Sequence, residues 1–262
     1  MNYIVIPAYQ PDNKLIKLIE KIHKKSDFHI LVIDDGSSSK CQDIFDKAEQ
    51  YVTVLRHQVN QGKGQALKTA FSYIKEQNIY GTVVTADADG QHKIWDIFRA
   101  ANKASENPNK LILGVRAFTG KVPLRSRFGN SLTKVLFKLQ TGVGVTDTQT
   151  GLRAFTTNLI PFMLKIEGQR YEYEMNMLLE ASKEYEILEV PIETVYINDN
   201  EGSHFRPIKD GLMIYKNIFK FALSSLSSFV VDYIVYAIAI LFLPTAPTSF
   251  RIFLANGLAR VT

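Results

Sequence analysis

The chain has 262 residues, 46% of them hydrophobic, and a formal net charge of +5. That is enough apolar material for one large folded unit or two smaller ones. Cys41 is the single cysteine, so an intramolecular disulfide is ruled out and a reducing compartment fits. The positive balance suits anionic partners such as nucleotide phosphates or acidic lipid surfaces. With no zinc-finger spacing and no dense arginine run, nucleic acid is not an expected partner.

Taken in order, the chain alternates short apolar runs with amphipathic stretches. Residues Asn2 to Pro7 read as a buried strand, entered with no basic leader or cleavage signal ahead of it. Leu15, Ile16, Ile19 and Ile22 then repeat at helical spacing and predict a helix over Asn13 to Lys25. A second strand, Phe28 to Ile33, ends in Asp34-Asp35-Gly36-Ser37, where a carboxylate suits a ribose hydroxyl or base N–H and a serine equally suits a helix N-cap. Val52 to Leu55 is a third strand, followed by Asn60-Gln61-Gly62-Lys63-Gly64 and a helix with Leu67, Ala70, Phe71 and Ile74 on one face. A glycine-flanked lysine before a helix N-terminus favours anions, although the spacing is not that of a Walker loop.

The run Thr82 to Thr85 delivers Asp87 and Asp89 and then Gly90-Gln91-His92. At a strand end the backbone turns, so carboxylates two apart can converge on one hard cation, Mg²⁺ or Mn²⁺; a solvated polar turn is the plainer alternative. A helix over Lys93 to Ser105 and a strand over Leu111 to Arg116 follow. Strict alternation of this kind predicts an α/β fold with a mostly parallel sheet. Three acidic or glycine-rich strand ends and one basic end should then gather along one sheet edge, where ligands bind in open sheets.

Pro7-Ala8-Tyr9, Asp34-Asp35-Gly36-Ser37, the Gly62-Lys63-Gly64 loop and Asp87-x-Asp89-Gly90-Gln91-His92, in this order, resemble family 2 glycosyltransferases of the Rossmann-like GT-A fold. The resemblance implies that Pro7, Tyr9, Asp35 and Lys63 line a nucleotide site. It also implies that Asp87 and Asp89, with Gln91 nearby, hold a divalent ion against a sugar-nucleotide diphosphate. Further on, Pro123 to Ser131 opens a helix running to about Leu139, and Thr146-Asp147-Thr148-Gln149-Thr150-Gly151-Leu152-Arg153 follows a glycine-rich turn. This combination is similar to the polyprenyl-phosphate branch that includes dolichol-phosphate mannose synthases. It implies that Arg116, Arg127 and Ser131 grip a lipid phosphate; Arg125 could replace Arg127, and an exposed basic helix start is the alternative. Arg127 and Ser131, four apart, share a helix face. Asp147 is expected either to orient the metal or to act as base. Glu172 and Glu174 open another helix, where the resemblance implies an acidic residue near the acceptor and acidic residues equally suit the helix dipole. Ile187 to Ile197 reads as a last strand, placed at an edge by Pro191. The resemblance assigns Arg206 to the diphosphate.

Lysines interleaved with apolar residues over 209–221 predict an interfacial helix, and Phe221 to Leu243 is long enough to span a bilayer. Lys209, Lys216 and Lys220 place the preceding domain on the cytoplasmic side of the cell membrane. The tail resembles the start of a GtrA-type membrane domain, and the chain is expected to be a fragment of a longer one. The expected organisation is a catalytic domain over 1–205, a juxtamembrane helix over 206–220 and a membrane region over 221–262. The expected reaction is inverting, metal-dependent transfer of a hexose from a nucleotide-sugar, UDP-linked by preference, to undecaprenyl or another polyprenyl phosphate. The alternatives are transfer to a saccharide or protein hydroxyl, or a non-catalytic membrane adaptor or flippase component. Self-association is left open.

Overall fold

The computed structural model describes residues 1–116, 124–193, 223 and 226–238, with the backbone alone at 124–129, 132 and 136. The chain divides into two compact units, Met1–Asp210 and Gly211–Thr262. In the first unit, seven strands form one sheet: β1 (Tyr3–Ala8), β2 (His29–Asp34), β3 (Thr53–Arg56), β4 (Thr82–Thr85), β5 (Lys110–Arg116), β6 (Arg153–Thr156) and β7 (Glu186–Ile192). Their order is β3-β2-β1-β4-β6-β5-β7. Among the described strands β6 alone runs antiparallel, pairing with both β4 and β5. All the others point the same way, so their C-terminal ends share one edge of the sheet.

β1 is central, and its Tyr3 to Ile6 are buried. Pro7, which has no N–H, is tolerated there because the rungs to β4 stop at Val5. The helices are α1 (Asn13–His23), α2 (Gln42–Ala48), α3 (Lys63–Gln77), α4 (Ile94–Glu106), α5 (Leu124–Thr141), α6 (Ile160–Lys165) and α7 (Glu172–Glu184). Asp12 caps α1, its side chain accepting from the Lys14 N–H at 2.8 Å, and Leu15, Leu18, Ile19 and Ile22 form the buried stripe. That stripe joins Phe45 of α2 and Ile97, Ala100, Ala101 and Ala104 of α4 against the Ile4, Ile6, Val32, Val84 and Ile112 face of the sheet. α3 packs against β1, β2, α6 and α7, with Phe71 meeting Phe155 of β6 edge to face at 5.4 Å.

The alternation read from the sequence is present, with differences at several element ends and with β6 and α6 not anticipated. α1 stops at His23 rather than Lys25, and β7 ends at Ile192 in its described part. β7 does lie at an edge, as Pro191 implied. β6 was not expected: four residues containing a buried arginine carry little periodic signal, and pairing with β4 and β5 supplies what local pattern lacks. Most of the residues expected to form the juxtamembrane helix and the membrane region lie outside the described ones. Within the described residues, 226–238 is helical with Leu226, Phe229, Tyr233 and Ile234 exposed. No helix among the described residues is long and apolar enough to cross a membrane.

Candidate active site

The shared edge carries the ends of β1, β2, β4 and β5, and with them Tyr9, Asp35, Asp87 and Arg116. Pro7 is half-buried and Tyr9 exposed. Asp35 is 3% exposed and its carboxylate accepts four hydrogen bonds. The donors are His57 Nδ1 (2.8 Å), Asn60 Nδ2 (2.9 Å) and the N–H groups of Gln61 (2.9 Å) and Gly62 (2.8 Å). Any part Asp35 has in a nucleotide site therefore runs through the 57–62 loop that it folds. Asp35→Ala would leave those buried donors unanswered, at roughly 1–3 kcal/mol each before relaxation. The expected result is a large fall in urea midpoint, with Asp35→Asn milder; an unchanged midpoint for the alanine variant would remove Asp35 as the loop's anchor.

The same loop turns at Gly62, whose φ of +104° favours glycine, and runs into α3 at Lys63. A Cβ at Gly62 would lie 2.5 Å from Arg170 Cγ, so the 168–173 segment presses directly on the loop. Gln65 N–H donates to Gln169 O at 2.8 Å, and Arg170 Nη1 to Asn60 Oδ1 at 3.2 Å. This contact brings α7 to the site.

Lys63 Nζ lies 2.7 Å from Asp87 Oδ1 and 2.9 Å from Glu174 Oε2. His92 Nε2 is 3.4 Å from the other Asp87 oxygen, and His92 Nδ1, buried, has no partner among the described residues. Burial alone would raise the Asp87 pKa, but the Lys63 charge and hydrogen bonds from His92 and Lys63 outweigh it and hold the carboxyl well below its usual range. Asp89 moves the opposite way, pushed up by burial and then by the Asp87 charge against a hydrogen bond from Gln91 N–H (2.9 Å). For Lys63, burial is likewise outweighed by Asp87 and Glu174, and its pKa is raised. Glu172, by contrast, accepts from the Gln169 and Arg170 N–H groups at 3.0 and 3.1 Å and so closes the turn before α7.

Against Asp87 lies the backbone of Gly151: a Cβ there would be 2.4 Å from Asp87 Oδ2. Gly151 O accepts from Thr85 Oγ1 at 2.7 Å, which ties this backbone to the end of β4. Arg153, 1% exposed, donates through Nε to Thr150 O and through Nη1 to Glu174 O, while its Nη2 is without a partner among the described residues. Burial lowers its pKa against the surrounding carboxylates of Glu174, Asp147 and Asp87.

Asp147 lies beneath Arg116. The guanidinium forks onto it through Nε (2.6 Å) and Nη2 (2.9 Å), and the N–H groups of Arg116 (3.3 Å) and Gln149 (3.0 Å) donate to it as well. The Asp147 side chain is fully buried, that of Arg116 16% exposed. The carboxylate is thus enclosed, and in this structure both of its oxygens are held by Arg116, which fixes the direction of that guanidinium. Asn130 of α5 holds the same loop, its amide donating to Thr146 O at 3.1 Å and accepting from Thr148 N–H at 3.0 Å. Ser131 is exposed on α5. The side chains of Arg125 and Arg127 and all of Arg206 lie outside the described residues.

Asp87 and Asp89 offer the hard oxygens that Mg²⁺ or Mn²⁺ requires. No group of three or more histidine, cysteine, aspartate or glutamate side chains among the described residues forms a ready metal nest. The fit is therefore to an ion that takes most of its remaining oxygens from water or a bound phosphate, the usual habit of Mg²⁺.

Residues 3–161 match the sequence profile described as Glycosyl transferase family 2. The chain belongs to that family. It is 31% identical over 202 residues to an uncharacterized protein of Methanocaldococcus jannaschii, covering 74% of this chain and 81% of the relative. It is 28% identical over 215 residues to the UDP-N-acetylglucosamine–dolichyl-phosphate N-acetylglucosaminyltransferase of Methanococcus voltae, covering 74% and 85%. The polyprenol monophosphomannose synthase of Mycolicibacterium smegmatis is 23% identical over 201 residues, with 72% and 75% covered. Among solved structures, glucosyl-3-phosphoglycerate synthase from Mycobacterium tuberculosis, in complex with Mn²⁺, UDP and phosphoglyceric acid, superposes with a TM-score of 0.62 at 16% identity. That match covers 86% of this chain and 78% of the other, and it shows a shared GT-A-like fold.

Arg153, His92 and Gly151 lie within the quoted motifs, which gave them no role of their own. Glu172 and Glu174 were equal candidates in sequence; only the approach of α7 to the Lys63 loop separates them.

Proposed function

We propose that this family 2 glycosyltransferase moves a hexose from a nucleotide-sugar, UDP-linked by preference, to a polyprenyl phosphate, with inversion. The observation that carries the reading is the cation–carboxylate arrangement at the β4 and β5 ends: Lys63 with Asp87 on one side, Arg116 seated on Asp147 on the other. The names of the Methanococcus voltae and Mycolicibacterium smegmatis relatives supply the acceptor class.

Donor binding falls to the loop folded by Asp35 and to Lys63, with Pro7 and Tyr9 at the end of β1. A Mg²⁺ or Mn²⁺ ion on Asp87 and Asp89, with Gln91 beside them, would supply charge neutralisation for the departing diphosphate. Lys63 and Arg206 add positive charge on that side. Arg116, held rigid by its fork to Asp147, and Arg127 with Ser131 on α5 receive the acceptor phosphate. Such a phosphate is mostly ionised at neutral pH, its second pKa being about 6. It needs positioning and no base, which agrees with Asp147 being spent on Arg116. The lysines before Phe221 and the apolar run to Leu243 support a cell-membrane location with the catalytic unit cytoplasmic.

Incubation with a set of labelled UDP- and GDP-sugars and undecaprenyl phosphate should carry label into the organic phase. Label passing to a saccharide or protein while the lipid stays unlabelled would overturn the acceptor assignment. Arg116→Gln should raise the KM for the lipid about tenfold or more while moving the donor KM little.

A further inference from the structure

Both oxygens of Asp87 face donors within the protein: Lys63 Nζ at 2.7 Å and His92 Nε2 at 3.4 Å. Lys63 has a second anchor in Glu174 Oε2 at 2.9 Å, and both side chains are largely buried. The other Glu174 oxygen is buried and has no partner among the described residues. One ammonium thus bridges a carboxylate of the acidic pair and a carboxylate of α7. A divalent ion on Asp87 would compete with that ammonium for the same oxygen. A diphosphate beside the loop would compete with Asp87 for the same lysine.

We propose that Lys63 is a latch coupling the two binding events: it holds Asp87 until a donor diphosphate draws it away, and Glu174 is the pivot that keeps it in the site. The proposal rests on the donor and metal reading above and adds a mechanism to it. A lysine suits the task, having a point charge on a flexible four-carbon stem. By linkage, whatever diphosphate binding does to ion affinity, ion binding must do to diphosphate affinity. Glu174 matters because Lys63, on leaving Asp87, would otherwise be a buried charge without a partner.

The test is a titration of Mn²⁺ into the full chain, following free Mn²⁺ by electron paramagnetic resonance, alone and then with UDP or GDP. Lys63→Met should tighten Mn²⁺ binding in the absence of nucleotide by about tenfold, and shrink the tightening caused by nucleotide by a similar factor. Glu174→Gln should act in the opposite sense, weakening Mn²⁺ binding without nucleotide about fivefold, because the displaced lysine loses its pivot. Lys68→Met removes an equal charge five residues further along α3 and should change Mn²⁺ affinity less than about twofold. If Lys63→Met fails to melt cooperatively, the Glu174→Gln measurement decides by its sign. Unchanged Mn²⁺ affinity in Lys63→Met, or a Lys68→Met effect of equal size, would overturn the latch while leaving the metal site standing. Absence of any Mn²⁺ binding to the parent with UDP or GDP present would remove the metal reading and the latch together.

Discussion

Asp89→Asn is expected to cut sugar transfer by about 10³-fold while the protein melts within about 2 °C of the parent. The carboxamide has the shape of the carboxylate, so little packing changes, and the one hydrogen bond given to the side chain, from Gln91 N–H at 2.9 Å, has an oxygen to accept it in either form. What disappears is a negative charge beside Asp87. Burial and then the neighbouring Asp87 charge both raise the pKa of Asp89, so its ionised form carries an electrostatic cost. Such a cost suits a site intended for a cation. Asp87→Asn would be a poorer test, because Asp87 also pairs with Lys63 and its loss would leave that lysine half satisfied. The measurement is the rate of label transfer from nucleotide-sugar, alongside a thermal melt. A parent-like rate would take Asp89 out of the site.

Gly151→Ala should be nearly as damaging, for a reason no charge argument supplies. The added methyl would fall 2.4 Å from Asp87 Oδ2 and 2.7 Å from Oδ1, well inside van der Waals contact. Retreat of the backbone is opposed by the Thr85 Oγ1 bond to Gly151 O and by β6, which starts two residues later between β4 and β5. The carboxylate must therefore turn away. Overpacking of this kind costs roughly 1–3 kcal/mol of stability. If Asp87 is a metal ligand, transfer should fall about 100-fold and Mn²⁺ affinity should fall with it, since both depend on where that side chain points. Loss of stability with transfer and Mn²⁺ affinity both preserved would mean that the close approach serves packing alone.

The strand ends were legible because each is a local event. A β-branched run, a turn and a carboxylate or glycine within a few residues are enough to identify Asp35, Lys63, Asp87 and Asp89 as candidates. Parallel crossovers then oblige those ends to share an edge, and they do. Local pattern could not reveal β6, whose existence depends on two strands distant in sequence. Nor could it choose between Glu172 and Glu174, which differ only in what α7 packs against: one closes its own turn, the other meets Lys63.

Asp147 shows the same division in a single residue. Its place in a polar motif after a glycine-rich turn marked it as chemically active, with base and metal orienter equally open. Tertiary packing buries it completely and sets both oxygens against Arg116, a pairing that local sequence could not show. By itself the sequence determined the alternation, the sheet edge and the residue types delivered to it, because these follow from propensity and from neighbours along the chain. Only the tertiary structure decided which charges meet, since an ion pair between Lys63 and Glu174 depends on positions 111 residues apart being brought within 2.9 Å.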